Sequence, residues 1–192
     1  MITKLLLESK LKESLKPAED AILDKLKQQN AAAVMVLFVE SESGWQIVYT
    51  RRTNGVRTHQ GEVAFPGGAF EEGDLSLIET ALRETREEIG IHPECIQVIG
   101  SMKPVCTISG YYVYPIVGIL DCEARFQPNP EEVERVFIFP VDWLSDPNSF
   151  FEKDYRTSDN RVRNLIHYLD RDGEHLWGLT AKITLDVLQL LK

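Results

Sequence analysis

The sequence predicts an α+β fold in which β-strands outnumber a few helices that pack on the sheet. Three observations indicate this class. Apolar runs rich in Val, Leu and Phe recur along the chain, three segments have helical spacing, and turn-forming residues separate most of these segments. The chain has 192 residues, 43% of them hydrophobic, which suffices for one compact domain with a core.

The predicted elements follow one another with short connections. Residues 3–28 have the spacing of a helix that Pro17 interrupts, because proline lacks an amide donor. The later elements are a strand at 31–40 with its hairpin partner at 45–51, a short strand before Gly67, a helix at 77–89, strands at 96–102, 111–121 and 134–139, a last hairpin from 161–169 and 175–177, and a helix at 181–191. We expect an N-terminal helical extension over residues 1–29 and one domain over 30–192.

Charge and composition restrict the partners. The 21 Lys and Arg and the 30 Asp and Glu give a net charge of −9, which disfavours nucleic acid or an anionic membrane surface as a partner. The longest apolar run is too short to span a bilayer, and charges in the first dozen residues leave no room for the apolar stretch of a signal peptide. We therefore expect a soluble cytoplasmic protein, and the oligomeric state stays open.

The cysteines predict neither a disulfide framework nor a zinc site. Cys95, Cys106 and Cys122 are odd in number, and no pair of them has the close spacing typical of metal ligands.

The predicted helix at 77–89 carries acidic residues in an unfavourable place. Glu84, Glu87 and Glu88 are related as i, i+3 and i+4, so their carboxylates converge near the helix C-terminus. Each such pair of like charges costs about 0.2–0.5 kcal/mol, and the charges also oppose the helix dipole. A solvated acidic face is one interpretation of this stripe. A divalent-cation site is the other, because carboxylate oxygens are the ligands that Mg²⁺ or Mn²⁺ prefers.

The residues around this helix favour a site. Ser76 and Glu79 have the spacing of a capping box, and Gly90 is placed to end the helix. Upstream, the segment Phe65-Pro66-Gly67-Gly68 contains two glycines, which let the main chain approach a ligand closely. An ordinary turn would explain the glycines alone, but a Gly-Gly loop that leads into a carboxylate helix is a rarer combination.

Residues 68–91 resemble the Nudix box, whose pattern is Gly, five residues, Glu, seven residues, then Arg-Glu-apolar-x-Glu-Glu-x-Gly-apolar. The second half matches from Arg83 to Ile91, except that Thr85 replaces an apolar residue. Asp74 stands in place of the first Glu and is one residue further from Arg83, so we expect Asp74 to cap the helix. The resemblance implies a Nudix-type mixed β-sheet sandwiched between α-helices, and a hydrolase of nucleoside diphosphates linked to another group.

The longer spacing and an upstream segment are similar to the coenzyme A pyrophosphatases of that superfamily. Their signature is Leu-Leu-Thr-x-Arg-Ser, three residues, Arg, three residues, Gly, three residues, Phe-Pro-Gly-Gly. Residues 48–53, Arg57, Gly61 and residues 65–68 match its spacing, with Thr53 in place of Ser. The resemblance implies hydrolysis of coenzyme A, and of its acyl form, to 3′,5′-ADP and 4′-phosphopantetheine. The alternatives are another substrate, such as ADP-ribose, a dinucleotide or a nucleoside triphosphate, and a non-catalytic binding module.

The same resemblance implies the metal site. The expected ligands of Mg²⁺ or Mn²⁺ are the Gly67 carbonyl and the carboxylates of Glu84, Glu87 and Glu88. Arg83 is expected to orient a carboxylate through charge-assisted hydrogen bonds rather than to touch the substrate.

Catalytic and substrate-binding residues follow from the resemblance as well. Glu84 and Glu88 are candidates for catalysis, and Glu132, in an acidic loop before a strand, is a further candidate for the general base. A guanidinium binds a phosphate in a bidentate fork, and the one basic cluster near the motif consists of Arg51, Arg52, Arg57 and His59. The expected substrate-binding residues are Arg52, Arg57 and Gly68.

Overall fold

The computed structural model of the protein describes residues 3–15, 30–53, 61–107, 110–123, 125–156, 160 and 162–192. The strands are β1 (Ala31–Ser41), β2 (Gly44–Arg52), β3 (Val63–Ala64), β4 (Gly67–Ala69), β5 (Ile96–Ser101), β6 (Val105–Cys106), β7 (Tyr112–Leu120), β8 (Val133–Pro140), β9 (Phe150–Arg156) and β10 (Val162–Tyr168). The α-helices are α1 (Lys4–Ser14), α2 (Leu77–Ile89), α3 (Val141–Ser145) and α4 (Gly178–Gln189).

A mixed sheet is built around β1. One edge of β1 pairs in parallel with β7 over residues 31–38. Its other edge pairs in antiparallel fashion with two strands, with β4 at residues 32–34 and with β2 at residues 38–41. The pair Ser41 and Gly44 closes the predicted β1–β2 hairpin, which is confirmed. Because β4 and β2 share this edge, the Gly67-Gly68 segment lies beside β1 as a short strand and not as a free turn.

Helices cover both faces of the sheet. Alternate residues of β1, among them Ala33 and Met35, pack with the buried residues Ala81 and Ile89 of α2. The opposite face packs against leucines of α1 and the apolar side of α4. The predicted sandwich of a sheet between helices is therefore confirmed. In the described part of the chain, no helix has the length and apolarity needed to cross a membrane.

The terminal helices differ from the prediction in their bounds. The helix predicted over residues 3–28 is described as α1, and residues 16–29, with Pro17, lie outside the described residues. Leu7 and Leu11 of α1 are fully buried in the same core cluster as α4. The last helix begins at Gly178, three residues before the predicted start at 181. The division of the chain after residue 29 stays a prediction.

The C-terminal hairpin was predicted with the wrong partner. β10 pairs along its whole length with β9, and only one bridge, between His167 and Trp177, joins it to the predicted partner segment. The turn predicted near residues 172–173 is present, closed by the pair Arg171 and Glu174. Residues 151–156 of β9 are all exposed, so no buried apolar alternation marks this strand in the sequence.

A disulfide joins Cys95 and Cys122, so the expectation of no disulfide is wrong. The antiparallel pairing of Ile96 with Leu120 brings the residue before β5 close to the segment after β7, and the Cα atoms of the two cysteines are 5.2 Å apart. Cys106 is left as an exposed free cysteine, which reconciles a bridge with an odd number of cysteines. This pairing arises from the sheet and has no local sequence signal.

Candidate active site

Helix α2 begins and ends where its capping residues predict. The Ser76 Oγ accepts a hydrogen bond from the Glu79 amide at 3.1 Å. Gly90 adopts the left-handed conformation with φ 72°, and its N–H donates to the Arg86 carbonyl. The caps set the ends of the helix. Its apolar side, with Ala81 and Thr85, is buried against the sheet, and the acidic stripe runs beside β4.

The acidic stripe is graded from buried to exposed. The side chain of Glu88 is 2% exposed, that of Glu84 is 13% exposed and that of Glu87 is 55% exposed. A solvated acidic face would leave all three side chains in water. That interpretation is therefore wrong for Glu84 and Glu88 and holds only for Glu87.

Two glycines bring the main chain of β4 against the stripe. The Gly67 N–H donates to Glu88 Oε2 at 3.3 Å. A Cβ atom on Gly68 would lie 2.3 Å from Glu84 Oε1, and one on Gly67 would lie 2.4 Å from the Ala33 carbonyl oxygen. Gly67 needs glycine because a side chain there would collide with the main chain of β1, whereas at Gly68 it would displace the Glu84 carboxylate.

Two arginines neutralise the carboxylates. Arg52, at the end of β2, places Nη1 at 3.4 Å from Glu88 Oε1. Arg83 donates from Nη1 to Glu84 Oε1 at 2.8 Å and to Glu87 Oε2 at 3.1 Å. Arg83 thus contacts two carboxylates of the stripe, and Arg52 contacts the third.

Asp74 anchors Arg83 and does not cap the helix, so the expected capping role is wrong. Its carboxylate accepts hydrogen bonds from Arg83 Nε at 2.9 Å, from Arg83 Nη2 at 3.0 Å and from Thr80 Oγ1 at 2.8 Å. Burial opposes ionisation, but these bonds and one from the Glu71 amide outweigh it and lower the pKa of Asp74. Ser76 takes the N-cap position, which leaves Asp74 free to reach Arg83 from the preceding loop.

Burial and mutual repulsion perturb the carboxylates. Burial raises the pKa of Glu88 to about 8, against the opposing effects of Arg52 and the Gly67 amide, and the charges of Glu84 and Glu132 raise it further. Burial also raises the pKa of Glu84, and Glu132 contributes there too. Glu132 is therefore close enough to interact with both α2 carboxylates, although it is far from them in sequence.

The loop that carries Glu132 is fastened to the end of α2. The Gln127 amide donates to the Ile89 carbonyl at 2.8 Å, and the Asn129 amide donates to the Glu88 carbonyl at 2.9 Å. These bonds satisfy carbonyl groups that the last turn of a helix leaves open. The loop is thus held over the helix end that bears the site.

The donor chemistry fits a hard divalent cation. Carboxylate oxygens are its preferred ligands, and two partly or fully buried carboxylates that repel each other are stabilised by added positive charge. Among the described residues, no three acidic, histidine or cysteine side chains are already grouped as a complete metal site. Arg52 and Arg83 instead supply the positive charge, and Glu87 faces outward in its ion pair with Arg83.

The described members of the predicted basic cluster, Arg51 and Arg52, are divided between the two faces of the sheet, and Arg57 and His59 lie outside the described residues. Arg51 points away from Arg52, and its Nη1 is 3.5 Å from Glu174 Oε2. Arg135 Nη2 approaches the same carboxylate at 3.3 Å, and the Glu174 side chain is 2% exposed. The sequence carries no signal for Glu174, which is one acidic residue in a polar turn.

Comparison with known proteins identifies relatives of this chain. The family model of the NUDIX domain matches residues 29–160. An uncharacterised Nudix hydrolase, NudL, of Pectobacterium atrosepticum is 38% identical over 161 residues, which cover 84% of this chain and 82% of the relative. Nudix hydrolase 15, mitochondrial, of Arabidopsis thaliana is 38% identical over 171 residues, covering 83% of this chain and 58% of the relative.

Solved structures agree on the fold. The crystal structure of RenU, a Nudix hydrolase of M. smegmatis, matches with a TM-score of 0.50 at 19% identity and covers 59% of this chain and 72% of that one. A C. elegans Ap4A hydrolase binary complex matches with a TM-score of 0.51 at 17% identity, covering 58% of this chain and 80% of that one. At these identities the likeness concerns the fold alone.

Proposed function

The chain belongs to the NUDIX domain family and is a pyrophosphohydrolase, and we propose that its substrate is coenzyme A, with acyl-coenzyme A as a related substrate. The proposed products are 3′,5′-ADP and 4′-phosphopantetheine. The observation that carries the hydrolytic part is the buried Glu88, which has one long arginine contact and acidic neighbours in the described part of the chain. The coenzyme A part is supported by the upstream signature that contains Arg52, Thr53 and Arg57.

Nudix hydrolases generally use a divalent metal ion, and we propose that Glu84, Glu87 and Glu88 hold Mg²⁺ or Mn²⁺ together with the Gly67 carbonyl. When bound, the ion supplies positive charge to the phosphate oxygens and lowers the pKa of a water molecule. Glu88 is the main anchor in this proposal, because it is buried and already oriented by the Gly67 amide. Arg83 keeps Glu84 in place through the bond at 2.8 Å.

We assign the general base to Glu132. Glu88 and Glu84 are each engaged by an arginine, whereas within the described residues no hydrogen bond or ion pair is found for the Glu132 carboxylate. Its charge acts on both α2 carboxylates, which supports the assignment. A carboxylate in this place can accept the proton of the attacking water.

Substrate binding is assigned to Arg52, Arg57 and Gly68. Arg52 uses Nη1 on Glu88, and its side chain is 24% exposed, so other guanidinium nitrogens can donate to a pyrophosphate oxygen. Gly68 lacks a side chain that would block the approach of the pyrophosphate to β4. Arg57, assigned from the sequence signature, is proposed to bind the 3′-phosphate of coenzyme A.

Product analysis tests this proposal. The protein is incubated separately with coenzyme A, ADP-ribose and NADH, with Mg²⁺, with Mn²⁺ or with a chelator, and the products are identified by mass spectrometry. Metal-dependent release of 3′,5′-ADP from coenzyme A is the expected result. Turnover of ADP-ribose or NADH in place of coenzyme A would agree with a pyrophosphohydrolase but would contradict coenzyme A as its substrate.

A second experiment isolates the 3′-phosphate contact. We expect Arg57→Ala to raise KM for coenzyme A about tenfold and to raise KM for 3′-dephospho-coenzyme A much less, since a charged hydrogen bond is worth about 1.5–3 kcal/mol. Arg163→Ala, an exposed arginine on β10, is the matched control. Equal increases for both substrates would reject the role of Arg57.

A further inference from the structure

Glu132 lies at the end of a turn that Asn129 organises. The Asn129 Oδ1 accepts a hydrogen bond from the Glu131 amide at 3.2 Å. The Asn129 carbonyl accepts from the Glu132 amide at 3.1 Å and from the Val133 amide at 2.8 Å. The conformation of this turn therefore determines where the Glu132 side chain leaves the main chain.

Thr53, the residue after β2, ties the turn to that strand. The Thr53 amide donates to the Glu132 carbonyl at 2.9 Å, and its Oγ1 donates to the Glu131 carbonyl at 3.1 Å. The β2–β8 register shifts between Arg51 and Arg52, so that Arg52 pairs with Val133 and Thr53 reaches beyond the start of β8 into the turn.

The turn is also tied to α2, through the bond from the Asn129 amide to the Glu88 carbonyl. Residues 129–132 are thus fastened at one side to the helix that carries Glu84 and Glu88, and at the other side to the strand that carries Arg52. Arg52 reaches the Glu88 side chain while its neighbour Thr53 holds the Glu132 main chain.

We propose that Thr53 is a positioning residue for catalysis, whose hydroxyl and amide hold the 131–132 peptide so that the Glu132 carboxylate stays beside Glu84 and Glu88. The inference rests on the proposed function, in which Glu132 is the general base. It gives the Thr53 hydroxyl, at the end of residues 48–53 of the upstream signature, a positioning role instead of a contact with substrate.

The surroundings of Thr53 allow an effect on catalysis to be measured separately from an effect on stability. Its hydroxyl and the Glu131 carbonyl are both in an exposed environment, so water can replace the bond when the hydroxyl is removed. Thr53→Val keeps the shape of the side chain and the bond from the amide. We therefore expect this variant to fold and melt like the wild type, with its defect confined to turnover.

Steady-state kinetics with coenzyme A and melting curves of four variants test the inference. Thr53→Val should lower kcat by about tenfold with KM unchanged, below the hundredfold loss that a misplacement of about 1 Å can cause. Thr53→Ser, which retains the hydroxyl, should restore kcat. Glu132→Gln should lower kcat by about 10²–10⁴-fold, as expected for loss of a general base. Thr180→Val, which removes a hydroxyl that donates to the Val63 carbonyl at the same 3.1 Å, should keep its kcat.

The double variant Thr53→Val with Glu132→Gln completes the design. It should be no slower than Glu132→Gln alone, because Thr53 acts through Glu132. A wild-type kcat in Thr53→Val, with Glu132→Gln inactive, would overturn the role of Thr53 and leave the base assignment intact. A raised KM with unchanged kcat, or no rescue by serine, would also overturn it. A wild-type kcat in Glu132→Gln would reject the base itself, and the inference with it.

Discussion

Glu88 and Glu174 have the same exposed fraction, 2%, yet their surroundings differ. They lie on opposite faces of the sheet and are reached by consecutive residues of β2. Arg52 alone approaches Glu88 among the described cations, at 3.4 Å. Glu174 lies between Arg51 at 3.5 Å and Arg135 at 3.3 Å.

The difference separates a structural carboxylate from one that can take an added cation. Glu174 is surrounded by positive charge, and Arg51 and Arg135 face each other on adjacent strands, where like charges would repel without it. Glu88 instead has acidic neighbours, and burial raises its pKa to about 8. Two arginines compensate the buried charge of Glu174, so this carboxylate stabilises the fold. The charge of Glu88 is compensated less, so this carboxylate is suited to bind a metal ion.

The largest expected effect is that of Glu88→Gln on turnover. Loss of a proposed metal ligand should lower kcat by about 10³-fold or more, since metal ions contribute several kcal/mol to transition-state stabilisation. The metal-free fold should be as stable as the wild type or slightly more stable, because the unfavourable burial of an ionisable carboxyl group is removed. Steady-state kinetics and urea unfolding in chelator measure the two effects. Full activity in this variant would mean that Glu88 is not needed for turnover and does not differ from Glu174 in this respect.

Stabilisation of the fold by an added metal ion should also distinguish Glu88 from Glu174. At about a hundredfold excess over its Kd, Mg²⁺ or Mn²⁺ should stabilise the wild type by about 2.7 kcal/mol, because it binds only the folded state. The stabilisation should be small in Glu88→Gln and unchanged in Glu174→Gln. Thermal melting with added metal or chelator measures it. An equal response in all three proteins would exclude Glu88 as a ligand.

Glu174→Gln should lower the free energy of unfolding by about 2 kcal/mol, because the two facing arginines lose the charge between them. The kcat of the folded protein should not change. Glu134→Gln is the control: Glu134 also pairs with Arg51, at 3.5 Å, but its side chain is 52% exposed. Such a surface ion pair is worth at most about 1 kcal/mol. Urea unfolding of both variants tests the expectation, and a larger loss in Glu134→Gln would contradict it.

The elements that were predicted correctly depend on residues close to each other in sequence. The β1–β2 hairpin and the capped helix α2 follow from periodicity, turn residues and caps, which lie within a few positions of each other. β9 and the Cys95–Cys122 disulfide depend on pairings between distant segments, so neither has a local pattern. The existence of β9 and the pairing of segments far apart in sequence are what the local patterns left undetermined.

The site was predicted in its residue types and only partly in its geometry. Helical spacing placed Glu84, Glu87 and Glu88 together, but it could not tell that Glu88 is buried and Glu87 exposed, since this depends on how α2 rotates against β4. Arg51 and Arg52 are a case where more could have been inferred. Consecutive residues of a strand point to opposite faces, so the two arginines could not share one phosphate site.

Gly68→Ala tests how closely β4 and the acidic stripe must approach, and its expected effect is the smallest. The added Cβ would lie 2.3 Å from Glu84 Oε1 and 2.4 Å from Glu84 Cδ. These atoms end a flexible side chain, so the collision is relieved by moving the Glu84 carboxylate while the main chain stays in place. We expect kcat to fall by about tenfold, or about 1.4 kcal/mol in the barrier, without loss of stability.

Gly73→Ala, in the loop before α2, is the matched control, because a Cβ there would meet no atom within 4 Å. It should leave kcat unchanged and melt at the same or a slightly higher temperature, since alanine restricts the unfolded chain. A wild-type kcat in Gly68→Ala would mean that the position of Glu84 does not matter for turnover. Glu84 would then be removed from the proposed ligands, which would leave Glu87, Glu88 and the Gly67 carbonyl as the metal site. The comparison with Glu174 would rest on Glu88 alone.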